Sequence, residues 1–178
     1  MNRQPVLEGE RLLLRPLTPD DWDALFAVAS DPEIWAIHPQ HDRWQEPVFR
    51  RFFADALGRG GALVVIDKAT DAVVGSSQYK EEAGGVVEIG WTFLATSHWG
   101  GRYNREMKRL MLEHAFRFVG RVEFRVGECN LRSQRAMEKI GGHLTDRFAM
   151  VDLPGGGTMP HVIFEITRDS FASGPLSL

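Results

Sequence analysis

The chain has 178 residues, 43% hydrophobic and 25% charged, proportions of one globular domain large enough to bury a single core. Lys and Arg number 21 against 24 Asp and Glu, a net charge of −3, which argues against nucleic-acid binding through a broad basic surface. Apolar runs such as Ala62–Ile66 fall far short of the roughly 18 residues a membrane helix needs, and the charged stretch Met1–Leu14 has no secretory pattern, so neither a span nor a leader is expected.

Leu12–Leu14 reads as a first strand. Thr18-Pro19-Asp20-Asp21 then supplies a cap, a proline and first-turn acids for a helix starting near Pro19, with Trp22, Leu25, Phe26 and Ala29 on its apolar face and Ser30-Asp31-Pro32 as its stop. Trp35–Trp44 shows neither period and is expected to be irregular, bordering a cleft, before a helix over Pro47–Leu57. Ala62–Asp67, Val73–Tyr79 and Val86–Leu94, separated by turns, predict an antiparallel meander. A long amphipathic helix over Tyr103–Val119 follows, with Met107, Leu110, Met111, His114, Ala115 and Phe118 inward and Arg105, Lys108, Arg109 and Glu113 outward. Val122–Gly127 is a strand, Asn130–Ile140 a helix, and His143–Val151 with His161–Thr167 a closing pair around a Pro154–Gly157 turn. Residues 1–168 are expected to form one α/β domain with a mixed, mostly antiparallel central sheet flanked by helices, and residues 169–178 a frayed tail.

Ligands of such sheets gather at carboxyl ends of strands, which directs attention to Ser97-His98-Trp99-Gly100-Gly101-Arg102-Tyr103-Asn104 between the Val86–Leu94 strand and the long helix. Two adjacent glycines allow close backbone approach, and a helix start favours phosphate; the same residues also fit an ordinary glycine turn with a solvated basic helix face. No Gly-Lys-Ser/Thr follows, so nucleotide hydrolysis loses ground. The lone Cys129 has no intrachain partner and His38 and His41 have no second pair within zinc-ligand spacing, which points to a reducing, cytoplasmic compartment and no metal site.

Asn130-Leu131-Arg132-Ser133-Gln134-Arg135-Ala136-Met137-Glu138-Lys139-Ile140-Gly141 resembles the Asn-x-x-Ser-x-x-Ala-x-x-Lys-x-Gly segment of the GNAT superfamily of acyl-CoA-dependent N-acetyltransferases. Leu7–Pro16 is similar to the opening of its ribosomal-protein N-terminal (alanine) acetyltransferase branch, and the resemblance covers about Leu7–Arg168. It implies acetyl-CoA as co-substrate. Pantetheine would pair with the strand backbone at Trp91, Phe93 and Leu94, the pyrophosphate would meet Trp99, Gly100, Gly101, Arg102, Tyr103 and Asn104, and Asn130 and Ser133 would border the thiol end. The turn departs from the superfamily's usual Gln/Arg-x-x-Gly-x-Gly/Ala, and Arg102 and Asn104 stand where the branch has small residues, which bears on coenzyme affinity.

The resemblance also implies Glu88 as general base and, since Gly142–Phe148 lacks the usual tyrosine, Ser133 as proton donor. A base helps with either amine: a lysine amine, of pKa about 10.4 against about 8 for an α-amine, costs about 3 kcal/mol more to neutralise at pH 7. Trp35, His38 and Arg43 fall where the fold has its acceptor wall. The expected partner is thus a small-molecule or peptide amine, with no nucleic acid or membrane, and a homodimer is left open. An acyl-CoA-binding sensor without catalysis is the alternative that the altered turn and missing tyrosine keep in play.

Overall fold

The computed structural model describes residues 1–152 and 156–177. Its strands are β1 (Leu7–Glu8), β2 (Leu12–Pro16), β3 (Ala62–Asp67), β4 (Ala72–Glu82), β5 (Val86–Leu94), β6 (Arg121–Gly127), β7 (His143–Asp152) and β8 (Thr158–Thr167). Its helices are α1 (Trp22–Ala29), α2 (Pro32–Trp35), α3 (Glu46–Arg59), α4 (Arg102–Ala115), α5 (Leu131–Lys139) and α6 (Arg168–Ala172). One sheet of order β1-β2-β3-β4-β5-β6-β8-β7 results, antiparallel except between β5 and β6. α4 is the crossover that parallel neighbours require. This is the mixed, mostly antiparallel α/β sheet expected from the sequence.

Alternation along the strands divides the apolar side chains between two layers. Leu12, Leu14, Leu63, Val65, Val87 and Ile89 pack against Met107, Leu110 and Met111 of α4 and Met137 of α5. On the other face Ala62, Val64, Ile66 and Phe93 meet Leu25, Trp35, Phe49, Phe52 and Phe53 of α1–α3. Each fully buried large apolar side chain contributes about 1.5–3 kcal/mol, so both layers pin the central strands.

Local chemistry explains several departures from expectation. Asp21 accepts from Thr18 N at 2.8 Å and holds Arg15 through contacts of 2.6 and 2.9 Å, closing a 3₁₀ turn over Pro19–Asp21 that delays α1 to Trp22. α2, absent from the sequence reading, is a single capped turn: Pro32 starts it and Asp31 accepts from Glu33 N at 2.9 Å. α4 stops at Ala115, leaving Phe118 54% exposed rather than on the buried stripe. The expected turn at Pro154–Gly157 lies partly outside the described residues. The expected fraying after Arg168 is corrected. Thr167 caps α6 through Ser170 N, Phe171 packs tilted against Phe116 with centroids 5.3 Å apart, and Leu176 is 3% exposed within the α4–α5 layer.

Candidate active site

β5 and β6 pair at Val86↔Arg121, Val87↔Val122 and Glu88↔Glu123 and then part. On its other edge β5 slips register against β4, from Gln78↔Gly90 to Ser76↔Phe93, so that Trp91 and Thr92 together face Ser77. Trp91 carries the extra residue at φ 52°, a left-handed conformation that costs a non-glycine residue about 1–2 kcal/mol. The bulge bends β5 away from β6. A cleft of about 980 Å³ opens in the gap, floored by Ile89–Leu94 and Phe124–Val126 and walled by α2, the turn before α4, and α5.

The turn is shaped by Gly100 and Gly101, at φ 101° and 109°. Nothing lies within 4 Å of where their β-carbons would be, so conformation and not space demands glycine here. Trp99 Nε1 donates to Leu94 O at 3.0 Å, and the Arg132 guanidinium lies 4.1 Å from its ring centroid while donating to Ile34 O at 2.8 Å. One cation thus ties α5 to both α2 and the turn. Asn130 caps α5, accepting from Ser133 N at 3.2 Å.

Of the residues singled out from sequence, Trp35, His38, Trp91, Phe93, Leu94, Trp99, Gly100, Gly101, Arg102, Asn104, Asn130 and Ser133 line this one cleft. Arg43 does not: it is 7% exposed, its guanidinium 4.6 Å from the Phe52 centroid and 5.4 Å from that of Trp35, and burial holds its pKa down to about 10. It braces the wall from behind. Tyr103 packs on His98 with ring centroids 4.5 Å apart. His38 is held neutral by burial, its pKa near 3, and Gln40 N donates to its Nδ1 at 2.9 Å, which leaves the ring proton on Nε2.

Glu88 sits one row behind the cleft surface. A β-carbon on Gly90, which does line the cleft, would sit 3.4 Å from Glu88 Oε1. Glu88 is 5% exposed, and burial pushes its pKa up to about 7 although Arg125 and Lys80 pull it down. Arg125 approaches Glu88 Oε2 to 3.5 Å without completing a hydrogen bond. Gln78 Nε2 and Arg125 Nε also lack partners, and strand register puts all three residues on one face of the sheet. A buried polar cluster with open valences has room for a further polar partner.

Sequence reasoning missed Lys108. Expected on the solvent face of α4, it is 1% exposed and reaches into the gap between the parted strands, donating to Thr92 Oγ1 at 2.7 Å and Ser77 Oγ at 3.3 Å. Burial brings its pKa down to about 7. The signal was present: Leu112 and Ala115, four and seven residues on, are apolar and fully buried, so Lys108 begins a second inward line on the helix. Arg102, Arg105, Arg125, Arg132, Arg135 and Lys139 also line the cleft, and among the described residues no Asp or Glu does. A chain of net charge −3 therefore carries a strongly cationic cavity, suited to a polyanion.

A family model, the acetyltransferase (GNAT) domain, matches residues 11–143. The chain belongs to the GNAT acetyltransferase family. Its curated relatives include an uncharacterised N-acetyltransferase, p20, of Bacillus licheniformis, 28% identical over 144 residues and covering 76% of this chain and 80% of that protein. A GCN5-related N-acetyltransferase from Brucella melitensis superposes with TM-score 0.81 over 94% of this chain and 80% of its own, at 22% identity. Two more distant structures contain coenzyme. Mycobacterium smegmatis RimJ in complex with CoA-disulfide has TM-score 0.68 and 16% identity over 93% and 86% of the two chains. Vibrio cholerae spermidine N-acetyltransferase in complex with CoA and spermine has TM-score 0.66 and 14% identity over 92% and 99%. The GNAT fold thus accounts for the parted strands and for the cleft between them.

Proposed function

We propose that this GNAT domain transfers an acetyl group from acetyl-CoA to a primary amine, a protein N-terminus or a small amine, by direct attack in a ternary complex. The observation that carries the reading is the cationic cleft at the parted strands, with the glycine turn at the start of α4 on its wall and the buried Glu88 one row behind its floor. The diphosphate meets the amides of Gly100 and Gly101 and the Arg102 guanidinium, at the start of α4. Pantetheine takes up the backbone groups of Trp91–Leu94 that the ladder leaves unused. Acetyl-CoA supplies an activated acyl group, and Asn130 and Ser133 border its sulfur.

Glu88, behind Gly90, receives the amine proton through one water, for which a pKa near 7 is well placed. Trp35 and the neutral His38 form an uncharged acceptor wall, with the Arg43 guanidinium behind it, 3.5 Å from His38 Nε2. The single, exposed Cys129 fits an enzyme of a reducing compartment, the cytoplasm.

The test is CoA calorimetry together with thiol release from acetyl-CoA over a panel of peptides and small amines. Turnover with at least one amine and micromolar CoA binding are expected. Absence of any heat with CoA overturns the reading, whereas tight CoA binding without turnover on any amine favours a sensor of the same fold.

A further inference from the structure

Lys108 is a buried cation for which the reading above has no use. It lies where β5 and β6 separate, with Thr92 of the bulge and Ser77 of β4 on one side and the Phe124 ring of β6 on the other, its Nζ 5.6 Å from that ring's centroid. The two hydroxyls occupy two of the three ammonium donors and lie 2.8 Å from each other, and Lys108 itself lines the cleft. Charged groups on the elements around it include Lys80 and Glu82 of β4, Glu88 of β5, Glu123 and Arg125 of β6, Arg135, Glu138 and Lys139 of α5, and Arg105 and Glu106 of α4. Among the described residues none of these reaches it, Glu106 being bound to the amides of Arg11 and Leu12 at 2.8 and 3.0 Å. An isolated ammonium buried without a counter-ion is a costly arrangement that a merely structural role does not call for.

We propose that Lys108 receives the sulfur end of acetyl-CoA and gives its proton to the thiolate that leaves. This rests on the acetyl-transfer reading and supplies what that reading lacks. A ligand running from Gly100 and Gly101 to Asn130 and Ser133 crosses the strand gap over Lys108. In the reaction the amine nitrogen bonds to the acetyl carbon as the carbon–sulfur bond breaks. The amine proton goes to Glu88, and a proton on Lys108 Nζ goes to sulfur, leaving a neutral amine that solvent reprotonates after CoA departs. The hydroxyl of Ser133 is the poorer donor, because an alcohol is a much weaker acid than a thiol, and proton transfer from it to a thiolate runs uphill. An ammonium whose pKa burial has brought near 7 gives its proton downhill to a thiolate of pKa about 8.5.

Lys108→Met replaces the cation with a neutral chain of similar length and leaves Ser77 and Thr92 bonded to each other, and Lys108→Gln retains a hydrogen-bond donor. With an amine found to turn over, both variants should lose about a hundredfold in kcat and lose the alkaline limb of its pH profile, with CoA affinity within about threefold. Ser133→Ala should keep that limb.

A parent-like kcat and pH profile in Lys108→Met overturn the proposal while leaving acetyl transfer intact. Loss of the alkaline limb in Ser133→Ala returns the role to Ser133. Stoichiometric acetylation of Lys108, seen by mass spectrometry after incubation with acetyl-CoA, also overturns it, because an amide has no such proton to give. Failure of the parent protein to bind CoA sinks the acetyl-transfer reading itself.

Discussion

Glu88 and Lys108 stand on either side of the same bulge, one acid raised and one base lowered toward neutrality by the same cause, removal from water. For Glu88 the folded chain holds its proton up to about pH 7 whereas the unfolded chain releases it near 4.5, so this residue lowers stability progressively as pH rises between those values. Glu88→Gln should therefore match the parent in melting temperature at pH 4 and exceed it at pH 8. The same substitution should lower kcat/KM about a hundredfold and remove the rise in rate through pH 7, measured by thiol release. Parent-like activity would sink the base assignment. At this scale Glu88 was legible from the alternation Val87-Glu88-Ile89, which puts it on the face opposite its neighbours, but the unsatisfied Oε2 and the approach of Arg125 were not, since Arg125 arrives from a strand 37 positions along the chain. Lys108 was misread for a related reason: Leu112 and Ala115 continue its line along α4, but a cation at the head of that line gives no sign of how deep the helix sinks, which depends on what lies on either side.

Helices and strands with their own punctuation were the easiest to read. Gly60 ends α3 at φ 63°, Asn130 starts α5, and the meander follows its turn residues. α2 escaped because four residues are too few to show a period, although its cap and proline stood in the sequence as a stop signal for α1. That short element matters to the cleft. Asp31 spends one carboxylate oxygen on Glu33 N and the other on Thr96 Oγ1 at 3.1 Å, joining the Trp35 wall to the segment that leads into the glycine turn. Asp31→Ala should cost about 1–2 kcal/mol in denaturant unfolding, and Thr96→Ala less, because it leaves the cap in place. Equal losses in both would show that the cap contributes nothing.

The whole molecule was legible in outline because meander, crossover helix and closing hairpin admit few right-handed arrangements. Its final segment was not: Gly174 and Pro175 read locally as loop, and only the folded chain brings Pro175 so near that a β-carbon on Gly141 would stand 2.9 Å from it. Charge is also partitioned at this scale, with cations gathered in one cavity of an acidic chain. CoA affinity should accordingly fall about tenfold between roughly 0.05 and 0.5 M salt by calorimetry, while a phosphate-free pantetheine derivative should be nearly indifferent. Salt-independent CoA binding would contradict that account. The short parallel seam from Val86 to Glu88 has a mechanical counterpart: two blocks of sheet meet along three residue pairs and a wedge. A guest bonded to the vacant edge would act as a rung across the seam. Amides of β6 and β8, far from any phosphate, should then exchange with deuterium more slowly when CoA is present, so that the ligand works as a stitch in the fabric as well as a reagent.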